Sequence, residues 1–214
     1  MLTVTEAIKQ RRSIRRFKPD PVPDEYIREM LEAARLAPSA SNRQPWRFIV
    51  TTDAEEKKQL RRICLNQAFI EDAPVVFVCC ADLAAYSRAS QQQREQEIRE
   101  GGFIQYLSGS FADLKYRDML LNTSDPNLSS YLGTATANTY IAIEHMVLTA
   151  MSHGLGTCWV GGISSPSDIS SLYHLPNTTV VVALLPTGYP AQSPPPRPRL
   201  KLEEILLRPL SKAS

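Results

Sequence analysis

The stretch TATANTYIAIEHMVLTAMSH, residues 134–153, runs directly into Gly154-Leu155-Gly156-Thr157-Cys158-Trp159-Val160-Gly161-Gly162. Its length and apolar periodicity predict a long buried helix with Ile141, Ile143, Met146, Val147 and Ala150 inward, and with Gly154 as its C-cap. A helix of that kind is a central packing element, and the rest of the chain is read as built around it.

Downstream, a short helix is expected near residues 167–172 and a strand over 179–185. The tail Ser193-Pro194-Pro195-Pro196-Arg197-Pro198-Arg199 is stiff and extended, and 202–207 closes as a short helix. Upstream, residues 5–10 read as a short helix, and Pro19, Pro21 and Pro23 punctuate the chain behind it. Asp24 and Glu25 then suit the positive end of a second helix, whose Ile27, Met30, Leu31 and Ala34 recur at helical spacing and which stops before Pro38. Trp46 to Thr51 reads as a strand, Asp53 caps a charged helix to about Leu65, and the apolar run 73–81 is a buried strand. The alternation is α/β in character. From 82 to 131 the pattern weakens: Gln91-Gln92-Gln93-Arg94-Glu95-Gln96-Glu97 suggests an exposed helix, and Gly101-Gly102, Gly109 and Pro126 interrupt the chain beyond it. This segment reads as an excursion able to cover a pocket. No internal repeat is present.

A chain of 214 residues with 43% hydrophobic content can bury one sizeable core, so a single domain over 1–214 is expected. Lys+Arg 24 against Asp+Glu 22 leaves a net charge of only +2, too little for the broad basic footprint of a nucleic-acid binder. No apolar run reaches the roughly 18 residues of a membrane span, and residues 1–6 lack the apolar core of a secretory signal; a soluble, cytoplasmic protein without a membrane partner is expected. Cys64, Cys79, Cys80 and Cys158 form no C-x-x-C pair, and Cys79-Cys80 falls in an apolar run, which fits buried thiols better than a disulfide framework. His145, His153 and His174 show no ligand spacing, so no metal site is expected.

The chemistry concentrates elsewhere. Gln10-Arg11-Arg12-Ser13-Ile14-Arg15-Arg16-Phe17 gathers guanidinium groups around one small hydroxyl, a set that suits phosphate oxygens. The same run could instead be a solvated helix end or a basic arm; its being local, on a nearly neutral chain, favours a local anion. Arg197-Pro198-Arg199 holds two more guanidinium groups at fixed separation, although proline-rich tails often serve as spacers. Between them, Pro38-Ser39-Ala40-Ser41-Asn42-Arg43-Gln44-Pro45 offers short polar side chains and open backbone beside Trp46, as either an ordinary turn or a surface for a heterocycle. Gly161-Gly162 permits close backbone approach to a ligand. Gly154-x-Gly156 does not extend to G-x-G-x-x-G, because position 159 is Trp, so a Rossmann nicotinamide site is not supported.

Taken in order, Arg11-Arg12-Ser13-x-Arg15, Ala37-Pro38-Ser39-Ala40-Ser41-Asn42-x-Gln44-Pro45-Trp46-x-Phe48, the Gly154–Gly162 run and Arg197-x-Arg199 resemble the flavin-dependent nitroreductase family. The resemblance spans residues 5–207 and is thinnest between about 82 and 133. It implies an α+β sandwich with a central, mainly antiparallel sheet flanked by helices, in an intertwined homodimer with tightly bound FMN at the subunit interface. Carried over by position, Arg11, Arg12 and Ser13 hold the phosphate and ribityl chain, Arg197 and Arg199 complete the phosphate grip, and Arg15 approaches the pyrimidine edge. Pro38, Ser39, Ala40, Ser41 and Asn42 line the ring from the partner subunit, and Gln67 is a further polar contact. Val160, Gly161 and Gly162 run beside flavin N5, with the Gly161 N–H as its donor; some relatives carry Glu at that position.

The activity so implied is NAD(P)H-dependent: NADH or NADPH binds transiently and gives hydride to N5, and an electron-poor acceptor such as a nitroaromatic or quinone then takes it in a ping-pong cycle. Arg15 and Gly161 are the residues expected to tune that exchange. Reductive dehalogenation, flavin fragmentation and non-catalytic flavin binding are the competing readings on the same fold.

Overall fold

The computed structural model describes residues 2–121 and 126–208. At its centre lies a four-stranded sheet of β1 (Trp46–Thr51), β2 (Val75–Asp82), β3 (Gly156–Thr157) and β4 (Thr179–Gly188), in the spatial order β1-β2-β4-β3 with every neighbouring pair antiparallel. β2 is buried along nearly its whole length, as its unbroken apolar run requires. Successive side chains then serve opposite cores. Val75, Phe77 and Cys79 meet Met30 and Ala34 of α2 (Asp24–Arg35) and Ile143, Met146 and Val147 of α7 (Leu132–Ser152). Val76, Val78 and Cys80 meet Leu60 of α3 (Ala54–Ile63), Ile70 of α4 (Ala68–Asp72) and Ile169 of α8 (Pro166–Leu172). The result is the helix-flanked antiparallel sandwich that the family resemblance implies. Between Cys79 and Cys80 the register to β4 jumps from Ala183 to Val181; the skipped Val182 is a bulge, which resets which β4 residues face each core.

α7 begins two residues before the expected start and packs through Ala135, Asn138, Thr139, Ala142, Ile143, Met146, Val147 and Ala150. Ile141 is a correction: it is 41% exposed, not inward. Residues two apart on a helix lie about 200° around its axis, so Ile141 cannot share a face with Ile143. His153 is the cap and Gly154, one residue beyond it, takes φ +70°, where glycine has no Cβ penalty.

Local signals place most other boundaries. Asp53 Oδ1 accepts from the Glu56 N–H at 2.9 Å and starts α3, which stops at Ile63, short of the expected Leu65, because Leu65 and Asn66 turn through φ of 58° and 56°. β4 outruns the expected 185 because β3 pairs with its last two residues. The four cysteines are buried and free, and burial pushes the Cys80 thiol up to about 12.

Among the described residues the excursion holds α5 (Arg88–Glu100), α6 (Leu114–Leu121) and four short 3-10 turns; residues 122–125 of it lie outside the described residues. α5 is less exposed than expected: Gln92, Gln93 and Gln96 are open, whereas Gln91, Arg94 and Glu97 are half-buried and Glu95, only 8% accessible, is enclosed by Arg99 of its own helix and Arg117 of α6. No helix among the described residues is long and apolar enough to cross a membrane.

Candidate functional site

Residues 11–18 leave α1 (Val4–Gln10) as an extended ribbon along the short strand β3. Ser13 bridges Thr157 in parallel, and the Ile14 N–H donates to the Thr157 carbonyl at 2.9 Å. Gly156 makes this contact sterically feasible, since a Cβ there would lie 2.5 Å from Ile14 Cγ1. Farther along, the Lys18 N–H donates to Tyr189 O at 2.8 Å and the Ala191 N–H to Arg16 O at 2.9 Å. The C-terminal tail therefore leaves the sheet already paired to the N-terminal ribbon. Its prolines, with φ confined near −65°, then carry it back toward α1 without collapsing into the core.

Between ribbon and tail opens a cleft of about 380 Å³, walled by Pro194, Pro195 and Pro196. Lys9, Arg11, Arg12, Arg15, Arg197 and Arg199 line it together with Ser13, and no carboxylate does. Among the described residues, none of these six cations is ion-paired. Arg12 Nη1 donates to the Lys9 and Arg11 carbonyls, both at 2.8 Å, using acceptors that the C-terminus of α1 leaves open. Six like charges around one acid-free cleft repel each other unless an anion joins them, and forked guanidinium donors match phosphate best. The residues present fit the phosphate end of FMN.

Arg15, next on the ribbon, holds its guanidinium 5.8 Å from the centre of the Phe69 ring. It also lies near Cys158, whose thiol burial pushes up while Arg15 and Arg11 pull it down. Gln67, at the N-cap of α4, donates from Nε2 to the Cys64 carbonyl at 3.0 Å. It neighbours Gly162, where an added Cβ would meet Leu65 Cδ1 at 3.2 Å and Gln67 Nε2 at 3.8 Å. Val160 belongs to the sheet: its N–H donates to Leu184 O at 2.9 Å, its carbonyl accepts from the Leu184 N–H at 3.0 Å, and its side chain is buried in the second core. Gly161 and Gly162 are the exposed continuation, and a Cβ on Gly161 would meet nothing within 4 Å.

Pro38, Ser39, Ala40, Ser41 and Asn42 do not line the arginine cleft of their own chain. Ser41, Asn42 and Gln44 occupy the left-handed region at φ 51°, 53° and 47°, a conformation that costs non-glycine residues about 1 kcal/mol or more each. Two side-chain contacts hold the loop there. The Gln44 N–H donates to Ser39 Oγ at 2.9 Å, and the Ala40 N–H to Asn138 Oδ1 of α7 at 3.1 Å. Asn138 Nδ2 donates in turn to Tyr86 Oη at 3.0 Å. Asn138 and the cleft cation Lys9 are absent from the sequence reading. The signal for Asn138 is a buried-face amide in an otherwise apolar helix, which must find partners when buried.

Comparisons with known proteins agree with this architecture. The family model described as "Nitroreductase family" matches residues 8–189. The chain is 33% identical over 207 residues to a Thermus thermophilus protein named NADH dehydrogenase, covering 97% of this chain and 96% of that protein. It is 29% identical over 208 residues to a Bacillus subtilis protein named FMN reductase (NAD(P)H), covering 96% and 73% respectively. A protein of Exiguobacterium sibiricum solved in complex with FMN superposes with a TM-score of 0.77 at 25% identity, over 96% of this chain and 97% of that one.

Proposed function

This chain belongs to the nitroreductase family, and on that premise we propose that it is an FMN-dependent oxidoreductase using NAD(P)H to reduce an electron-poor acceptor such as a nitroaromatic or a quinone. The observation that carries the reading is the meeting of guanidinium groups from both ends of the chain at one acid-free cleft. The FMN-bound structural relative and the relative named as an FMN reductase support it.

When bound, FMN supplies two-electron carriage between nicotinamide and acceptor. The chain's own residues supply position and charge. Arg11, Arg12, Ser13, Arg197 and Arg199 hold the phosphate, and Arg15, farther along the same ribbon, brings positive charge to the pyrimidine edge, favouring the electron-rich form. The Gly161 N–H has no acceptor among the described residues and serves as donor to the ring, with Gly162 and Gln67 beside it. Pro38, Ser39, Ala40, Ser41 and Asn42 meet the ring from a second copy, in a homodimer with one flavin at each of two seams. The apolar side chains that α1 and α7 leave exposed, Val4, Ile8, Leu132, Tyr140 and Ile141, support such a seam.

The purified protein is expected to be yellow, dimeric by sedimentation, and bleached anaerobically by NADH or NADPH. Quinone or nitroaromatic then restores the colour. A colourless protein that gains no flavin when FMN is added, or a yellow one that dithionite bleaches and both nicotinamides leave unchanged, overturns the assignment.

A further inference from the structure

A second basic cleft, of about 440 Å³, lies between residues 43–47 and α5 and shares no lining residue with the cleft between ribbon and tail. Arg43, Arg47 and Arg94 line it. Their charges are matched unequally. Arg47 pairs with Asp82 at 3.1 Å, the one carboxylate among the lining residues, which also accepts from the Ala84 N–H and the Thr178 hydroxyl. Arg94 pairs at 2.7 Å with Glu97 on its own helix, a partly exposed contact of the kind that contributes little. Arg43 has no carboxylate within ion-pair distance among the described residues. It donates to the Ala85 carbonyl at 3.2 Å and sits 5.6 Å from the centre of the Tyr86 ring, half-buried. Burial, with Arg94 adding to it, pulls the Arg43 pKa down, the sense in which a bound anion would relieve the site.

Arg94 also borders two smaller pockets, of about 180 and 220 Å³, and Ser41 lines both. The second is walled by Ile98 and Phe103 of the excursion. An apolar recess at the loop assigned to the flavin ring thus adjoins a cleft with excess positive charge. A dinucleotide has that same division between a flat ring and its phosphates.

We propose that the Arg43–Arg94 cleft receives a phosphate of the nicotinamide dinucleotide, so that the excursion selects and positions the reductant. The inference rests on the reading of this chain as an NAD(P)H-dependent flavoenzyme with Ser41 at the ring. Arg43 is a positioning residue: its guanidinium steers the dinucleotide and takes no part in electron transfer.

The test titrates FMN-loaded holoenzyme calorimetrically with two probes that carry no nicotinamide, adenosine 2′,5′-bisphosphate and ADP, in the parent protein and in R43Q, R43K and R94Q. R43Q and R94Q are expected to weaken binding about tenfold each, the effect of losing one charge-assisted contact, with R43K intermediate and flavin content unchanged. Loss confined to the bisphosphate identifies the 2′-phosphate as ligand, and loss of both probes identifies the pyrophosphate. In turnover, KM for the matching nicotinamide should rise with kcat held. Parent protein that binds neither probe, or variants that bind both as the parent does while retaining flavin and melting temperature, overturn the inference. So does a rise in KM for an anionic acceptor such as nitrobenzoate with unchanged probe binding. Failure of the functional reading looks different: the probes bind and respond to the variants, but NADH and NADPH leave the flavin oxidised.

Discussion

In the ribbon 11–15 and the tail 197–199 the guanidinium groups face a cleft without a carboxylate, whereas Arg99 of α5 and Arg117 of α6 are closed off by acids of the same segment. Arg99 bonds Glu95 and Asp118, each at 2.7 Å, and Arg117 takes both oxygens of the buried Glu95. The residue type is the same and the outcome is opposite. An arginine whose acid lies within the fold fastens helices together; one left without an acid in a concave site is available to a ligand anion. The distinguishing quantity is the local supply of carboxylates, which the nearly neutral total charge conceals.

The largest test of this contrast is R11A/R199A. Two charge-assisted contacts to phosphate are worth roughly 1.5–3 kcal/mol each, so FMN affinity should fall about 10³-fold. The melting temperature of the flavin-free protein should hold or rise, because repulsion is removed. Fluorescence titration with FMN and a thermal melt read the two effects, and an equal collapse of both would assign the cleft a structural role.

Arg117→Met should do the reverse, destabilising the fold by about 2 kcal/mol in urea titration with flavin affinity unchanged, because it leaves the buried Glu95 carboxylate with Arg99 as its one remaining cation. The same pair carries a pH signature. Arg117, with Arg99 behind it, holds the Glu95 carboxyl below its ordinary 4.5. Its contribution is therefore complete above about pH 4.5 and is lost as pH falls through the lowered native value. Glu95→Gln should flatten the acid limb of the stability profile.

Gly156→Ala probes the joint between ribbon and sheet. A Cβ at 2.5 Å from Ile14 Cγ1 forces the two apart, at about 2 kcal/mol by overpacking estimates, and flavin affinity should fall in step with stability. Unchanged flavin affinity in this variant would separate the cleft from the β3 register. The smallest effect is expected for Arg15→Ala: flavin reduction about tenfold slower, roughly 1.4 kcal/mol, with most FMN retained, against Arg199→Ala, which should chiefly loosen FMN. Stopped-flow reduction beside FMN titration distinguishes the two.

Much of the fold was legible along the chain because its determinants are local. Trp46–Thr51 is a strand as read, α2 stops before Pro38, and Asp53 caps α3. Misreadings arose where three-dimensional neighbours outweigh local pattern. Ile141 was grouped by its apolar character and not by its angle around the helix. Glu95 lies in a polar run, yet is buried because Arg117, far along the chain, reaches it. β3 is two residues long, too short for any periodicity, and it exists because β4 and the ribbon pair with it. At the candidate site the arginine, glycine and loop motifs were visible, while the roles of Asn138, which anchors the strained loop, and of Arg43, a lone cation in a turn-like loop, depend on neighbours far along the chain.

By itself the sequence determined where most of the longer helices and strands lie, and which residue types are available for phosphate, since capping, periodicity and side-chain chemistry act over a few neighbouring residues. Only the tertiary structure decided that residues 13–18 pair with Thr157 and 189–191, bringing Arg11 and Arg199 to one cleft. Only there, too, did Glu95 of α5 find Arg117 and Asp118 of α6 find Arg99. Such pairings join groups far apart along the chain, so their free energy depends on the packed sheet that holds the partners in place.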